Sequence, residues 1–472
     1  MNHDDLAHWS KRAADWTRDY HAGLRDRPVR AQVQPGQTAA ALPAQAPEAA
    51  ENMETIFADF ERIVPNAMTH WQHPRFFAYF PANAAPASML AEQLANAIAA
   101  QAMLWQTSPA ATEIEQVMVR WLRDALGLGH HFTGVIHDSA TTATLSAVLT
   151  MRERALDWRG LEDGLSGMPK MALFASGQTH SSIDKAARIA GIGQANTIKI
   201  PTDDTLSMRP DALNNALVQH KSNGTAIAGV ILSVGGTSVG ASDRIAECLK
   251  VAKAHDAYVH VDAAWAGSAM ICPEFRYLWD GVDGADSIVF NPHKWLGAQF
   301  DCAVQFLADP VPQVRTLGLR PEYLNTLGQD EITNFNEWTV PLGRRFRALK
   351  LWFLMRAYGL EGLRARIRNH VTWAAELCEV IRGMDGFEIV TEPRLSLFTF
   401  RHGDNAATEA LLERINDDGR VYLTQTRHDG AFVIRVQVGQ FDCTRDDVMC
   451  VAEVLRDLTS QTKNAGQRPG VQ

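Results

Sequence analysis

Short apolar runs that end abruptly in small or polar residues recur along the middle of the chain, and they constrain the fold more than any other feature. Examples are Met171–Ser176, Gly229–Ser233 and Ser287–Phe290. Bounded, β-rich runs of this length are typical of buried strands. Helical stretches such as Ile245–His255 lie between them, so the pattern predicts an α/β fold with a mostly parallel central sheet. Ligands bind beyond the carboxyl ends of such strands, which makes the turns after these runs candidate site segments.

The turn after Ser287–Phe290 carries a lysine, Lys294, between His293 and Trp295. Apolar surroundings remove hydration from a lysine and favour its neutral amine. A neutral amine can attack a carbonyl carbon and form a Schiff base. A single lysine after a strand is usually a surface residue, so a second feature is needed to identify a site.

That second feature is an earlier strand, predicted over Ala257–Ala269, which carries the carboxylate of Asp262 followed by small residues. A buried carboxylate without a partner is costly. The small residues leave room for a flat ligand whose positively charged atom faces Asp262. An aspartate on one strand and a lysine on a later one suit pyridoxal phosphate (PLP), because the aspartate keeps the pyridine nitrogen protonated and the lysine holds the aldehyde.

The motifs HVDAAWAGSA (from His260) and NPHKW (from Asn291) resemble those of the pyridoxal-dependent group II decarboxylases, and most closely the aromatic-L-amino-acid (DOPA) decarboxylases. The segment PLGRRFRALK (from Pro341) is similar to a structural segment of the same family, and the resemblance extends to about Leu458. It implies the fold of PLP-dependent transferases (fold type I), with an N-terminal helical arm and a small α+β C-terminal domain. It also implies PLP as the cofactor.

The resemblance also locates the rest of the cofactor site. The segment Phe132–Thr144 is predicted to form a short strand, a small-residue turn and the start of a helix. Free amides at a helix N-terminus bind phosphate, although serine and threonine there also serve as ordinary caps. In the family, the histidine matched by His180 stacks on the pyridine ring and can donate a proton, and the threonine matched by Thr237 lies beside the cofactor. The residues assigned to cofactor binding are Ser139, Ala140, Thr141, His180, Thr237, Asp262, Ala264, Asn291, His293 and Lys294.

An aromatic run, His70–Pro81, resembles the family's HWxxPxFFAYFP segment, which lines the substrate pocket. Such a run is usually part of a core, but flat rings would also suit an aromatic substrate side chain. Gly343 matches a pocket-edge position that leaves room for larger rings in plant relatives. The residues assigned to substrate binding are Trp71, Tyr79, Phe80, Pro81, Gln101, Met103 and Gly343.

Several positions depart from the family's pattern. Gln101 and Met103 stand where branched apolar or aromatic residues are expected to reach the pocket of the other subunit. Ala82 replaces a hydroxyl residue, Asp138 a small residue, and Gly236 a threonine. These departures leave the preferred substrate open, and Asp138 must point away from the phosphate or weaken its binding.

The stretch Leu319–Thr339 is polar and lacks clear periodicity, which predicts a mobile loop. Within it, Arg320–Asn325 resembles the family's catalytic loop, NPxYLxx, and the resemblance implies that Tyr323 returns a proton to the substrate α-carbon. Relatives with phenylalanine in place of this tyrosine tend to make aldehydes by oxidative deamination. The implied catalytic residues are Lys294, His180, Tyr323 and Asp262.

These features predict decarboxylation of an aromatic L-amino acid (DOPA, tryptophan, tyrosine, phenylalanine or 5-hydroxytryptophan) to the amine and CO2. An aromatic aldehyde synthase is the nearest alternative, and Tyr323 and His180 argue against it. A decarboxylase of an acidic amino acid such as glutamate is disfavoured by the aromatic run His70–Pro81, although Gln101 leaves room for it. A binding module without catalysis is disfavoured because both the lysine and the aspartate of the cofactor site are present.

Length and charge exclude several other classes of protein. The chain has 472 residues, enough for two or three domains, and its formal net charge of −9 argues against a nucleic-acid or anionic-membrane partner. It begins without an apolar signal segment and has no apolar run of membrane-spanning length, which predicts a cytoplasmic protein. Its six scattered cysteines form no CxxC pair, which predicts reduced, mostly buried thiols rather than a disulfide or zinc framework.

The predicted domains are a helical arm (1–84), a large PLP-binding α/β domain that includes the loop (85–350), and a small α+β domain (351–472). In the arm, Leu6–Arg25 and Glu51–Met68 are predicted amphipathic helices, too thin a layer to bury their own apolar faces. The arm of the resembled family packs on a partner subunit, which implies a homodimer with the active site at the subunit interface.

Overall fold

A computed structural model describes residues 1–319 and 332–465, with side chains up to residue 460. The chain divides into two compact units. One combines Met1–Pro81 with Thr372–Gln472, and the other is Ala82–Val371. The domain boundaries predicted from the sequence, after residues 84 and 350, stay a prediction.

Helices occur in both units, and several begin with proline, whose missing N–H is not needed in the first turn. The longest is interrupted at Gly359, which has a φ of 62°. The α-helices of the described residues are α1 (His3–Ala22), α2 (Gln37–Ala40), α3 (Met53–Ile63), α4 (Pro86–Ile98), α5 (Pro109–Leu126), α6 (Ala140–Ala155), α7 (Arg159–Asp163), α8 (Ser182–Ile189), α9 (Pro210–Ser222), α10 (Ile245–Ala254), α11 (Val311–Leu317), α12 (Ala348–Arg382), α13 (Asn405–Asp418) and α14 (Arg445–Ala465).

The strands form one sheet in each unit. They are β1 (Thr133–His137), β2 (Met171–Ser176), β3 (Thr197–Ile200), β4 (Ala226–Ser233), β5 (Tyr258–Asp262), β6 (Ser287–Phe290), β7 (Ala303–Leu307), β8 (Phe387–Arg394), β9 (Leu397–His402), β10 (Thr424–His428) and β11 (Ala431–Gln437).

The larger sheet has the strand order β1-β7-β6-β5-β4-β2-β3. Neighbours from β3 to β6 pair in parallel, whereas β7 pairs antiparallel with both β6 and β1. Strands β2, β5, β6 and β7 are buried along their whole length, as expected for strands covered on both faces. The mostly parallel α/β sheet predicted from the sequence is therefore confirmed. Its topology brings the carboxyl ends of β2, β4, β5 and β6 to one edge.

The smaller sheet is antiparallel throughout, with the order β10-β11-β9-β8. Its core joins Phe398 and Phe400 of β9 to Leu411 of α13 and to Val451 and Leu455 of α14. This arrangement confirms the small α+β C-terminal region.

One predicted strand was wrong in extent. The run Ala257–Ala269 is a strand only as far as Asp262, and Ala266–Ile271 forms a buried 3-10 turn. A continuous apolar run indicates burial but does not distinguish a strand from a buried turn. The strand therefore ends at Asp262, so this carboxylate lies where the carboxyl ends of the parallel strands meet rather than in the middle of a strand.

The six cysteines are free and buried, as predicted. In the part of the chain that the structure describes, every helix is too short or too polar to cross a membrane.

Candidate active site

Lys294 lies in a single wide turn, Pro292–Leu296, that directly follows β6. The Gly297 N–H closes the turn by donating to the Pro292 carbonyl (3.1 Å). Gly297 has a φ of 111°, a conformation in which a side chain would be strained. The other residues of the turn are buried, whereas Lys294 is half-buried. The turn is thus packed into the interior, and Lys294 is its one residue that keeps partial exposure to solvent.

Two tryptophans connect this turn to the end of β5. The Trp295 and Trp265 rings stack with centroids 5.1 Å apart, and both side chains are buried. The Trp295 Nε1–H donates to Nδ1 of His370 (2.9 Å). Burial lowers the pKa of His370 to about 3, so this acceptor stays neutral and the Trp295 ring keeps its partner at physiological pH.

Asp262 is the last residue of β5 and is 7% exposed. It pairs with Val289 of the parallel strand β6, so Asp262 and the Lys294 turn lie at the same edge of the sheet. The Ala264 N–H donates to Asp262 Oδ1 (3.0 Å), and the Asn291 N–H donates to the Ala264 carbonyl (2.9 Å). The structure therefore brings together four residues that the sequence assigned to the cofactor site.

His180 lies in the turn between β2 and α8. Its Nδ1 accepts the Ser182 N–H (3.1 Å) and lies 2.8 Å from the Ser182 hydroxyl. Because Nδ1 is an acceptor, the neutral ring carries its proton on Nε2. Burial lowers the pKa of His180, the Asp262 charge opposes that shift and the Lys294 charge adds to it. These three candidate catalytic side chains are therefore within electrostatic range of one another.

Ser139, Ala140 and Thr141 lie where β1 leads into α6. Ser139 is the N-cap, and its hydroxyl accepts the Thr142 N–H (3.2 Å). Ala140 and Thr141 are half-buried residues of the first turn, where amides have no partner within their own helix. The cap uses the Thr142 amide, so ordinary capping does not occupy the amides that are predicted to hold the phosphate.

Asp138 sits beside that cap. The Ser139 hydroxyl donates to Asp138 Oδ1 (3.2 Å). Burial raises the pKa of Asp138, but hydrogen bonds with Thr142 and Ser139 and the charge of Arg347 outweigh it, so the pKa is below its usual value. Arg347 is itself held by Asp301 (2.7 Å). Asp138, which departs from the family's pattern, is therefore hydrogen-bonded by its neighbours, and its negative charge is offset by Arg347.

His293 is buried beside Lys294. Its Nδ1 accepts the Cys302 N–H (2.9 Å). Burial lowers the pKa of His293 to about 3, and the Lys294 charge adds to the effect. The neutral ring therefore carries its proton on Nε2, where it can serve as a hydrogen-bond donor. On the other side of the turn, Asn291 is buried, and its Oδ1 has no hydrogen-bond partner among the described residues.

Thr237 is half-buried in the loop Gly235–Asp243, which follows β4. A Cβ atom on Gly236 would lie 2.8 Å from the Gln178 carbonyl oxygen. A threonine at this position would therefore clash, so the departure at Gly236 lets the loop lie close to the segment that leads to His180.

Three of the predicted substrate residues lie near one another. The Arg344 N–H donates to Gln101 Oε1 (2.7 Å), and a Cβ atom on Gly343 would lie 3.2 Å from Gln101 Nε2. The Met103 carbonyl accepts the Asn336 N–H (3.1 Å). Gln101 and Gly343 thus lie side by side, and any side chain at residue 343 would contact the Gln101 amide.

The other predicted substrate residues belong to the unit formed by the two ends of the chain. Trp71 and Tyr79 stack with centroids 6.0 Å apart and are 38% and 47% exposed. Phe80 and Pro81 are buried, and the Arg435 guanidinium lies 4.7 Å from the Phe80 ring centroid. The aromatic run is therefore part core and part surface within its unit.

Tyr323 lies outside the described residues. At the described end of the same stretch, Phe335–Glu337 forms a short turn with buried side chains.

The model of the pyridoxal-dependent decarboxylase conserved domain matches residues 35–403. The chain belongs to the pyridoxal-dependent decarboxylase family. This decarboxylase is 39% identical to the aromatic-L-amino-acid decarboxylase of Rattus norvegicus, over 98% of this chain and 99% of that protein. It is similar to the crystal structure of Oryza sativa TDC with PLP and tryptamine (TM-score 0.95, 34% identity, 98% of this chain and 99% of that chain). It is also similar to Rhodiola rosea 4-hydroxyphenylacetaldehyde synthase (TM-score 0.91, 33% identity, 98% and 99% coverage).

The cofactor of this decarboxylase is PLP, and the residues at the sheet edge fit it. Asp262 is a buried carboxylate with a neutral amide donor on one oxygen, which leaves the other oxygen for a cation such as a protonated pyridine nitrogen. Lys294 supplies an accessible amine, and the first turn of α6 supplies amides for a phosphate. Asp262, Lys294 and the α6 amides therefore suit the pyridine nitrogen, the aldehyde and the phosphate of PLP.

Two buried residues of the decarboxylase were not singled out by sequence reasoning. Asp243 accepts the Met208 N–H (2.7 Å) and the Ser233 N–H (2.8 Å), and so fixes the far end of the Thr237 loop. The loop that carries Thr237 ends in the segment Gly240–Asp243 (GASD), and this acidic residue after small ones was a usable signal. The other is Asn83, whose side-chain amide donates to the Lys294 carbonyl (2.6 Å). No sequence pattern marks Asn83, because the contact joins distant parts of the chain.

Proposed function

We propose that this decarboxylase converts an aromatic L-amino acid to the corresponding amine and CO2. One observation carries the proposal: Asp262 and the turns that hold Lys294 and His180 lie at the carboxyl edge of one mostly parallel sheet, and His180 interacts electrostatically with both Asp262 and Lys294. Relatives named as aromatic-L-amino-acid, tyrosine and tryptophan decarboxylases support the aromatic substrate class.

Each residue has a distinct role in the proposal. PLP, when bound, draws electrons away from the carbon that loses CO2. Lys294 would hold the aldehyde of the cofactor through its amine. Asp262 would keep the pyridine nitrogen protonated. His180 would stack on the pyridine ring, with its Nε2 proton available for donation. Tyr323 returns a proton to the substrate α-carbon.

The phosphate side of the site is proposed to combine the α6 amides with neighbouring side chains. Ser139, Ala140 and Thr141 hold the phosphate, and Asn291 and His293 support it from the lysine turn. His293 suits this role because its neutral ring presents an N–H, so it donates a hydrogen bond without placing a second positive charge beside Lys294.

We also propose that the enzyme is a homodimer. Helix α1 buries none of its residues. On α4, Leu90, Leu94 and Ile98 are 51%, 44% and 62% exposed and recur at intervals of four residues, which places them on one face. Apolar stripes of this kind mark surfaces that pack against another chain. In this dimer Gln101 and Met103 reach the partner's active site.

An aldehyde synthase is the second candidate, and the similarity to Rhodiola rosea 4-hydroxyphenylacetaldehyde synthase favours it. A product assay separates the two activities. The enzyme with added PLP is incubated with DOPA, tyrosine, phenylalanine, tryptophan and 5-hydroxytryptophan, and amine, aldehyde and hydrogen peroxide are followed. The proposal expects amine with little peroxide from the wild type and neither product from Lys294→Ala. Aldehyde with equimolar peroxide would replace the proposal with the oxidative activity, and no product from any substrate would reject both.

A further inference from the structure

Asn83 makes two hydrogen bonds to the lysine turn. Its main-chain N–H donates to the His293 carbonyl (2.9 Å), and its side-chain Nδ2 donates to the Lys294 carbonyl (2.6 Å). Asn83 is fully buried, with 0% exposure. One residue therefore satisfies two consecutive carbonyls of the turn that carries the lysine.

The rest of the turn is held in the same manner. The Ala85 N–H donates to the Gly297 carbonyl (3.0 Å), and the Ser88 hydroxyl accepts the Gln299 N–H (2.7 Å). Arg366 donates to the Leu296 carbonyl (2.5 Å). Buried carbonyls need donors, and this turn receives them from outside itself. At Lys294 the donor is a side chain, so it can be changed without altering the main chain.

We propose that Asn83 is a positioning residue for Lys294: its amide fixes the main chain at the lysine, so that the amine meets the aldehyde of the cofactor. The inference rests on the proposed role of Lys294 and is independent of which amino acid is the substrate. It also assigns a role to the short segment after the aromatic run, in which the family's pattern marks Ala82 but not Asn83.

The chemistry of the contact makes a specific prediction for Asn83→Asp. The variant keeps the size of the side chain but replaces the N–H donor with an oxygen that faces the Lys294 carbonyl. Burial raises the pKa of such a carboxyl group, and its protonated form can again donate a hydrogen bond. The defect of Asn83→Asp should therefore diminish as the pH falls, whereas the defect of Asn83→Ala should not.

The test compares two ligands of the full-length chain after its cofactor has been removed. PLP engages the phosphate site, Asp262 and Lys294. Pyridoxine 5′-phosphate has the same ring and phosphate but an alcohol in place of the aldehyde, so it does not bond to the lysine. Affinities are measured by quenching of tryptophan fluorescence. We expect Asn83→Asp at alkaline pH to weaken PLP by about tenfold, the effect of losing one hydrogen bond, and to leave pyridoxine 5′-phosphate nearly unchanged.

A matched control is Asn196→Asp. The Asn196 amide also donates to a main-chain carbonyl over 2.6 Å, that of Ile192, but it lies directly before β3 rather than at the lysine turn. This variant should bind both ligands as the wild type does. Equal loss of both ligands in Asn83→Asp would mean that Asn83 supports the fold rather than Lys294, and unchanged affinity for PLP would mean that the contact has no role. Neither outcome requires an amino acid substrate, so the proposed function would be unaffected.

Discussion

At the scale of single residues, burial decides which groups of this enzyme are charged. His293 and His370 are neutral because they are buried, and each then presents a fixed pattern of donor and acceptor atoms. Asp243 is a buried acid, so burial raises its pKa instead of lowering it. Its two oxygens accept main-chain N–H groups. Because such groups titrate at altered pH, their contributions can be measured one at a time.

Asp243 should make stability depend on pH in a defined direction. Burial raises its pKa from 3.8 to about 6. The folded chain therefore binds this proton more tightly than the unfolded chain, and the resulting stabilisation is present below about pH 4 and is lost as the pH rises to about 6. Relative to Asp243→Asn, the free energy of unfolding of the wild type should fall by about 3 kcal/mol across this interval. Urea titrations of both proteins test this, and a difference that does not vary with pH would contradict it.

The contact between Gly343 and Gln101 should control the size of the substrate site. Gly343→Ala places a methyl group 3.2 Å from Gln101 Nε2, so the amide must move. We expect KM to rise by a few-fold with kcat little changed, the pattern of lost ground-state binding. In Gln101→Ala/Gly343→Ala the methyl group has space again, and KM should move back towards the value of Gln101→Ala alone. Additive effects on KM would show that the two residues do not interact.

At the scale of elements, the candidate site residues lie at strand ends and helix starts. The N-terminus of α6 has a dual role, because Ser139 caps the helix and the neighbouring amides are proposed to hold phosphate. Aspartate caps helices as well as serine does but repels a phosphate group. The two roles can therefore be separated by substitution.

Ser139→Asp should preserve stability and impair cofactor binding, whereas Ser139→Ala should impair both. Loss of the cap in Ser139→Ala should lower the free energy of unfolding of the cofactor-free chain by about 1 kcal/mol. Chemical denaturation without cofactor measures the first effect, and PLP titration measures the second. Tight PLP binding by Ser139→Asp would place the phosphate elsewhere.

Much of the element scale could be predicted from the sequence. Met171–Ser176 and Ser287–Phe290 are strands with the predicted bounds, because bounded apolar runs report burial directly. The run after Asp262 was assigned wrongly because small apolar residues are buried equally well in a turn. The antiparallel β7 and the contact from Asn83 to Lys294 depend on tertiary pairing, which local pattern does not record. The candidate cofactor residues were assigned by motif and stay a prediction, and their hydrogen-bond partners required the structure.

At the scale of the whole molecule, the proposed dimer implies that one chain alone does not form a complete active site. Helix α4 ends shortly before Gln101 and Met103, and it exposes an apolar stripe that is suited to contact with another chain. If these two residues serve the partner's site, a Met103 defect in one chain and a Lys294 defect in the other fall on the same site of the dimer and leave the second site whole.

Mixed dimers of Lys294→Ala and Met103→Asp should therefore regain activity. In a heterodimer, the site that has the intact Lys294 receives Met103 from the Lys294→Ala chain, so it is whole, while the other site carries both defects. Each mixed dimer then has one whole site of two, so isolated mixed dimers should have about half of wild-type activity. The two chains are co-expressed with different affinity tags, mixed dimers are isolated, and decarboxylation is compared with that of each variant alone. If Met103 serves its own chain, each site of the mixed dimer keeps one defect, and activity stays at the level of the parent variants even though the dimer forms.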